Sequence, residues 1–263
     1  MSVTVISVAN QKGGVGKTTT AVNLAACLAA LGRRILLVDC DPQANATSGL
    51  GGDKTSGVSV YAALLGQGQV TDAIRSTAWE GLELVPSETD LCGAEIELVR
   101  LDHHLHRLRL ALEPVCRGDR YDLVLIDCPP SLGILTLNAL AAADCLLVPM
   151  QCEYLSLEGI ATIHRLLEQL VSSGAQARLR LLGVLMTMFD ARTRLSRQVV
   201  EEVREHFGEL VFDTVIPRTT RLAEAPSHGR PIIHYDRYSA GAAAYEVLAE
   251  EVLARLARPV TTP

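Results

Sequence analysis

Asn10-Gln11-Lys12-Gly13-Gly14-Val15-Gly16-Lys17-Thr18-Thr19-Thr20 separates an apolar, β-branched run (Val3 to Ala9) from an alanine-rich stretch (Ala21 to Leu31). A strand, a glycine-rich turn and a helix in that order form the context of a phosphate-binding loop. Glycines 13, 14 and 16 let the backbone curl so that successive N–H groups face an anion. The helix that follows adds its positive N-terminal end. Lys17 is placed to reach the β- and γ-phosphates, and the Thr18 hydroxyl to ligate Mg²⁺. The plainer reading, a glycine-rich turn and nothing more, leaves the lysine and threonine unexplained.

Two features depart from the usual form of this loop. Gln11 occupies the place of the first glycine, and a second lysine, Lys12, precedes Gly13. The chain has only three lysines, at 12, 17 and 54, against 21 arginines. Two of the three therefore sit in the loop, where a compact point charge suits phosphate better than a planar fork. Lys12 faces out of the loop it begins, so its expected partner is a second nucleotide; the alternative is a solvated surface lysine.

Outward from the loop, strands and helices alternate. Arg34 to Asp39 and Tyr121 to Asp127 are short apolar runs bounded by turn signals, as buried parallel strands require. The first delivers Asp39 and Asp41 to its C-terminal end, followed by a Gly/Ser/Thr-rich segment, 47–57, expected to be mobile. The second ends in Asp127-Cys-Pro-Pro-Ser131, the Walker B arrangement, in which a carboxylate holds Mg²⁺ through water. N-capping or a turn is the plain alternative for each of these aspartates. Further strands are expected at 82–86, 145–149, 181–188 and 211–216. Helices are expected at 95–112, 133–143, 156–173, 193–206 and 239–256, with a loop from Pro217 to Asp236. The expectation is one α/β domain over 1–263, a doubly wound, mostly parallel sheet with helices on both faces and ligands at the strand C-termini.

Composition narrows the function classes. No apolar run approaches the roughly 20 residues that span a bilayer. The seven cysteines include no C-x-x-C pair and read as small core residues of a reducing cytosol; a cluster held by Cys92 and Cys128 between two subunits is the alternative. His103, His104 and His106 read as a polar face rather than a metal site. The net charge of −6 argues against nucleic acid, yet residues 178–237 carry ten arginines against eight acidic residues. The chain total therefore conceals a locally basic region.

Several segments together resemble the ParA/Soj group of chromosome- and plasmid-partitioning ATPases. They are Gln11 to Thr20, Leu37-Val-Asp-Cys-Asp-Pro-Gln43 with Asn45-Ala-Thr-Ser-Gly-Leu50, and Asp127 to Ser131. Gln151-Cys-Glu-Tyr154, Asp190-Ala-Arg-Thr193, Ile216-Pro-Arg218 and Arg221-Leu-Ala-Glu-Ala-Pro-Ser-His-Gly229 complete the set. The resemblance implies an ATP-driven homodimer with Mg²⁺, in which Lys12 reaches the partner's phosphates. It implies nucleotide contacts from Gln11, Lys12, Gly13, Gly14, Val15, Gly16, Lys17, Thr18 and Thr19, and from Pro217 and Thr219. Thr219 stands where the family usually has Asn beside the adenine, so base contact is expected to be weaker or carried by backbone. The ATP dimer is expected to bind double-stranded DNA without sequence preference through Arg192, Arg218 and Arg221. A ParB-type centromere-binding partner is expected to stimulate hydrolysis. The location implied is the cytoplasm, on the nucleoid, with no membrane partner.

Within that frame Lys12, Lys17 and Asp41 are the catalytic candidates, and Thr18, Asp39 and Asp127 the metal candidates. Asp41 is assigned to orient the attacking water, Asp39 to support the metal shell, and Asp127 to hold a metal-bound water. No glutamine takes a water-activating place beside Asp127, so slow basal turnover is expected. A membrane-cycling division-site ATPase of the MinD kind is the rival reading, and a metabolic enzyme or redox reductase on the same fold is another. The former carries a basic amphipathic C-terminal helix; here Glu246, Glu250 and Glu251 face Arg255 and Arg258.

Overall fold

The computed structural model describes residues 3–54, 57–153 and 179–258. Its frame is one eight-stranded sheet: β1 (Thr4–Val8), β2 (Ile35–Asp39), β3 (Arg75–Ser76), β4 (Leu82–Val85), β5 (Leu123–Asp127), β6 (Cys145–Gln151), β7 (Arg180–Phe189) and β8 (Val211–Pro217). The strand order is β3-β4-β2-β5-β1-β6-β7-β8, and every pairing is parallel except the short β3–β4 edge. All residues of β2 and β5 are buried, because helices cover both faces of the sheet. Along β2, Ile35 and Leu37 enter one core while Leu36 and Val38 enter the other. That split follows from the two-residue period of a strand. Each such leucine or isoleucine stabilises the fold by roughly 1.5–3 kcal/mol when fully buried.

The first helix, α1 (Lys17–Ala30), packs on the sheet beside the long terminal helix, Ala240–Ala257, which itself lies against β8. Its Ala21, Ala25, Ala26 and Ala29 are all buried, since small side chains let the helix approach both the sheet and the neighbouring helix closely. β1 sits beside β5 on one flank and β6 on the other. In register, Asp127 of β5 stands level with Val8 of β1 and with Asp39 of β2. Three strand ends thus deliver the glycine loop and the carboxylates to one place, where the strand order reverses about β1.

The alternation read from sequence matches the described elements, with three corrections. The helix expected over 95–112 is broken. Short helical turns occupy 89–100, and a regular helix begins only at Arg107–Arg117. His103 adopts φ +55° in the intervening turn. The buried Asn138 side chain supplies hydrogen bonds that a continuous helix would make itself, donating to His104 O at 2.7 Å and accepting from Leu108 N at 3.1 Å. Leucines at helical spacing were present, but tertiary bonds decided the backbone. The segment expected to be mobile from 47 begins instead inside a short helix, Asn45–Gly49, with Thr47 fully buried. The loop from Pro217 to Asp236 also contains helical turns, at Thr220–Glu224 and Ile232–Tyr235. The helix expected at 156–173, and Tyr154 of the Gln151 segment, lie outside the described residues.

Candidate functional site

Gly14 and Gly16 take φ values of +74° and +88°, which L side chains rarely adopt, and Gly16 caps the first helix. The loop is braced from outside. The Thr187 hydroxyl on β7 donates to Val15 O at 2.8 Å, and the Asn10 amide spans from Pro149 O to the Lys12 N–H. Thr20 meets the buried Tyr245 hydroxyl of the terminal helix at 3.2 Å. Sequence reading assigned no role to Thr187 or Tyr245. No local signal marks a strand threonine or a helix tyrosine as a brace for a loop so distant in sequence.

Lys17 is buried and donates to the Lys12 carbonyl at 3.0 Å. Burial pushes its pKa down, while Asp127, Cys128 and Asp41 pull it back up. Asp127 has no exposed surface, and neither carboxylate oxygen has a hydrogen-bond partner in bonding geometry. Burial raises its pKa well above the ordinary carboxylate value and the nearby Asp39 adds to this; the Thr18 hydroxyl and Lys17 draw it the other way. A buried carboxylate left unpaired is costly unless a cation or its water completes it. Among the described residues no three His, Cys, Asp or Glu side chains are grouped to hold a metal alone. Mg²⁺ keeps its waters and takes one or two protein oxygens beside substrate phosphates, and the Thr18 hydroxyl and the Asp127 carboxylate lie together here.

Asp39 is engaged differently. Its Oδ1 accepts from the Asp41 N–H at 3.1 Å, and its Oδ2 from both the Thr47 N–H and hydroxyl at 2.8 and 2.7 Å. Burial lifts its pKa to about 6 against those hydrogen bonds. Both oxygens are thus occupied by protein, which suits support of the site from behind rather than direct ligation. Asp41 is also buried, and its Oδ1 accepts from Gln43 N at 2.9 Å. Lys12 is half-exposed and pairs with Glu153 at 3.1 Å within its own chain. Cys92 is exposed, whereas Cys128 is buried with its thiol pKa pushed up by burial. A shared surface cluster on that pair has no basis in this arrangement.

The three arginines singled out cluster past the ends of β7 and β8, where Phe189 and Pro217 are in register and Arg218 N bonds to Phe189 O. Arg192 is gripped by Asp190 through two bonds of 2.9 and 2.7 Å, yet its side chain is 88% exposed. Arg221 pairs with Glu224 at 3.2 Å and Asp236 at 3.3 Å. Arg218 is exposed, and Pro217 half-buried. The Thr219 hydroxyl accepts from Arg221 N and so caps the turn that carries Arg221. At the end of the Arg221–Gly229 segment, a Cβ on Gly229 would lie 2.8 Å from the Gly51 Cα. Close backbone approach accounts for that glycine.

Three kinds of likeness accompany this geometry. The family described as "AAA domain" matches residues 3–181. The sporulation initiation inhibitor protein Soj of Bacillus subtilis is 53% identical over 95% of this chain and 98% of its own. The chromosome partitioning protein ParA of Caulobacter vibrioides is 49% identical over 95% of this chain and 94% of its own. Among solved structures, one described as cobyrinic acid a,c-diamide synthase from Mycobacterium smegmatis, with bound ADP and magnesium, superposes with a TM-score of 0.84. It is 40% identical and covers 99% of this chain and 100% of that one.

Proposed function

This chain belongs to the ParA/Soj family of chromosome-partitioning ATPases, and from that premise we propose that it hydrolyses ATP with Mg²⁺ as a DNA-binding homodimer that moves chromosome or plasmid DNA. The observation that carries the nucleotide half is Asp127: a fully buried carboxylate whose oxygens accept no hydrogen bond from the described residues, with Lys17 and Thr18 beside it. Phosphoryl transfer needs little covalent help and much positioning and charge neutralisation. Lys17 and the loop N–H groups of residues 13–19 hold the phosphates. Thr18 would hold Mg²⁺ directly and Asp127 would hold it through a bound water; the ion would supply charge neutralisation at the phosphate oxygens. Asp41 orients the attacking water, and Asp39 fixes Asp41 from behind. Lys12 leaves Glu153 to reach the phosphates of a second subunit, so that two chains close over two nucleotides.

The DNA half rests on Arg192, Arg218 and Arg221, exposed together past two adjacent strand ends. Binding that ignores sequence needs only cations aimed at backbone phosphates. Dimerisation joins two such patches and lets them outweigh the net charge of −6. A ParB-type partner then stimulates hydrolysis and release. The membrane-cycling reading finds little support, because the terminal helix is committed to the core. Tyr245, Leu248, Ala249 and Val252 are buried, Glu251 accepts from Asp213 N and Thr214 N, and Arg255 lies 4.0 Å over the Phe212 ring. No helix among the described residues is long and apolar enough to cross a membrane.

Co-sedimentation with DNA and with anionic liposomes, each with ADP and with ATP, tests the proposal. ATP-dependent pelleting with DNA alone is expected. Pelleting with liposomes, or with neither, overturns it.

A further inference from the structure

Behind Asp41 lies a closed ring of hydrogen bonds through two side chains to which the phosphate chemistry gives no part. The Thr47 hydroxyl donates to Asp39 Oδ2 at 2.7 Å and accepts from the Ser87 N–H at 3.0 Å. The Ser87 hydroxyl donates to the Asp41 carbonyl at 2.7 Å. The Asp41 N–H donates to Asp39 Oδ1 at 3.1 Å and closes the ring. Asp39 and Thr47 have no exposed surface, Ser87 has 1% and Asp41 6%. Each hydroxyl in the ring makes one donation, and the Ser87 and Asp41 N–H groups both find side-chain acceptors. The ring ties together three separate segments: the end of β2, the helix Asn45–Gly49, and the residues just after β4. Asp41 is thereby held at both its N–H and its C=O.

The geometry points to Thr47 and Ser87 as positioning residues for hydrolysis, which hold the Asp41 main chain where its carboxylate meets the attacking water. This rests on the reading that Asp41 orients that water. Neither residue needs to touch nucleotide or metal. Their contribution is to the placement of a group whose misplacement by about 1 Å costs on the order of a hundredfold in rate. A ring of satisfied buried polar groups is also rigid, since breaking one bond strands a donor away from water.

The test is ATP turnover and ATP affinity measured on the full chain, together with thermal melting. Ser87→Ala removes only the bond to the Asp41 carbonyl, and should lower kcat about tenfold while leaving the ATP Kd within about twofold. Thr47→Val interrupts the ring at two bonds and should lower kcat further. Thr47→Ser restores the hydroxyl and should recover most of the rate. In an Asp41→Ala background Ser87→Ala should lower turnover no further, because residues acting as a unit are not additive. Wild-type kcat in Ser87→Ala, with Asp41→Ala inactive, overturns the positioning role and leaves the Asp41 reading standing. A full additional loss in the Asp41→Ala background also overturns it, by showing a merely structural effect. Wild-type turnover in Asp41→Ala overturns the underlying reading itself. If Thr47→Val does not fold, Ser87→Ala decides alone.

Discussion

At the end of β5, Asp127 is buried and its oxygens accept no hydrogen bond from the described residues; past the end of β7, Arg192 is 88% exposed and doubly bonded to Asp190. The two lie at C-terminal ends of strands in one parallel sheet, yet they hold charge in opposite ways. At the β1–β2–β5 end the protein has already expended free energy burying Lys17, Asp39, Asp41 and Asp127. Those groups are fixed before any ligand arrives, and an unmet charge there makes a cation valuable. At the β7–β8 end the arginines remain in water and pair with neighbouring acids. Exposed pairs of that kind are weak, because water screens them and fixing two long side chains costs entropy, so they can be exchanged for phosphate at little cost. The buried end is suited to chemistry, and the exposed end to reversible, salt-sensitive contact.

The largest effect should come from the buried end. Lys17→Ala removes the one buried cation of the loop, and truncating one partner of a buried charge pair costs about 3–5 kcal/mol. ATP affinity measured by calorimetry should fall by a hundredfold or more on that basis; an unchanged affinity would break the contrast at its root. Asp41→Ala comes next. Turnover should fall about a hundredfold while ATP binding and ATP-dependent dimerisation persist, because phosphate contacts are untouched. Size-exclusion chromatography beside a turnover assay checks this, and a variant that cannot dimerise with ATP contradicts it.

The exposed end should respond in binding and not in stability. The Arg192→Ala/Arg221→Ala double variant should lose DNA affinity by about tenfold or more at low salt. Its thermal stability should match the parent's, as for surface substitutions in general. Wild-type affinity in co-sedimentation with ATP would remove these arginines from the interface. A large loss of stability would show that the surface pairs matter more than their exposure implies.

The smallest effect sharpens the buried side. Asp39 has a folded-state pKa of about 6, above the roughly 3.9 of an unfolded chain. Between those values the folded protein binds more protons than the unfolded one, so this group's contribution to stability falls as pH rises from about 4 to 6 and is flat above. Asp122 and Asp190, whose pKa values are drawn down to about 2 by Arg34 and Arg192, act in the opposite sense. Their contribution is present above pH 4 and fades as pH falls toward 2. Urea melts of the nucleotide-free protein across pH 4–7 should show a downward slope, to which Asp127, its pKa also raised by burial, contributes, and Asp39→Asn should reduce it. An unchanged slope in that variant would show that Asp39 is not its source.

Much of this molecule is legible in the chain alone. A β-branched run, three loop glycines and an alanine-rich run can form only a strand, a tight turn and a helix in that order, because those choices depend on neighbours within a few residues. Asp39 and Asp127 follow apolar runs of a strand's length, so their delivery to strand ends could be read locally as well. Register and contact were another matter. That Asp39 and Asp127 stand level, that Thr187 and Asn10 brace the loop, and that Thr47 and Ser87 close a ring onto Asp41 depend on segments 40 to 172 residues apart meeting in space. The helix expected over 95–112 failed for the same reason, since Asn138, distant in sequence, offers its backbone better hydrogen bonds than its own leucine spacing could secure. Local propensity chose the elements; burial, which leaves no polar group unpaired without cost, chose where each side chain came to rest.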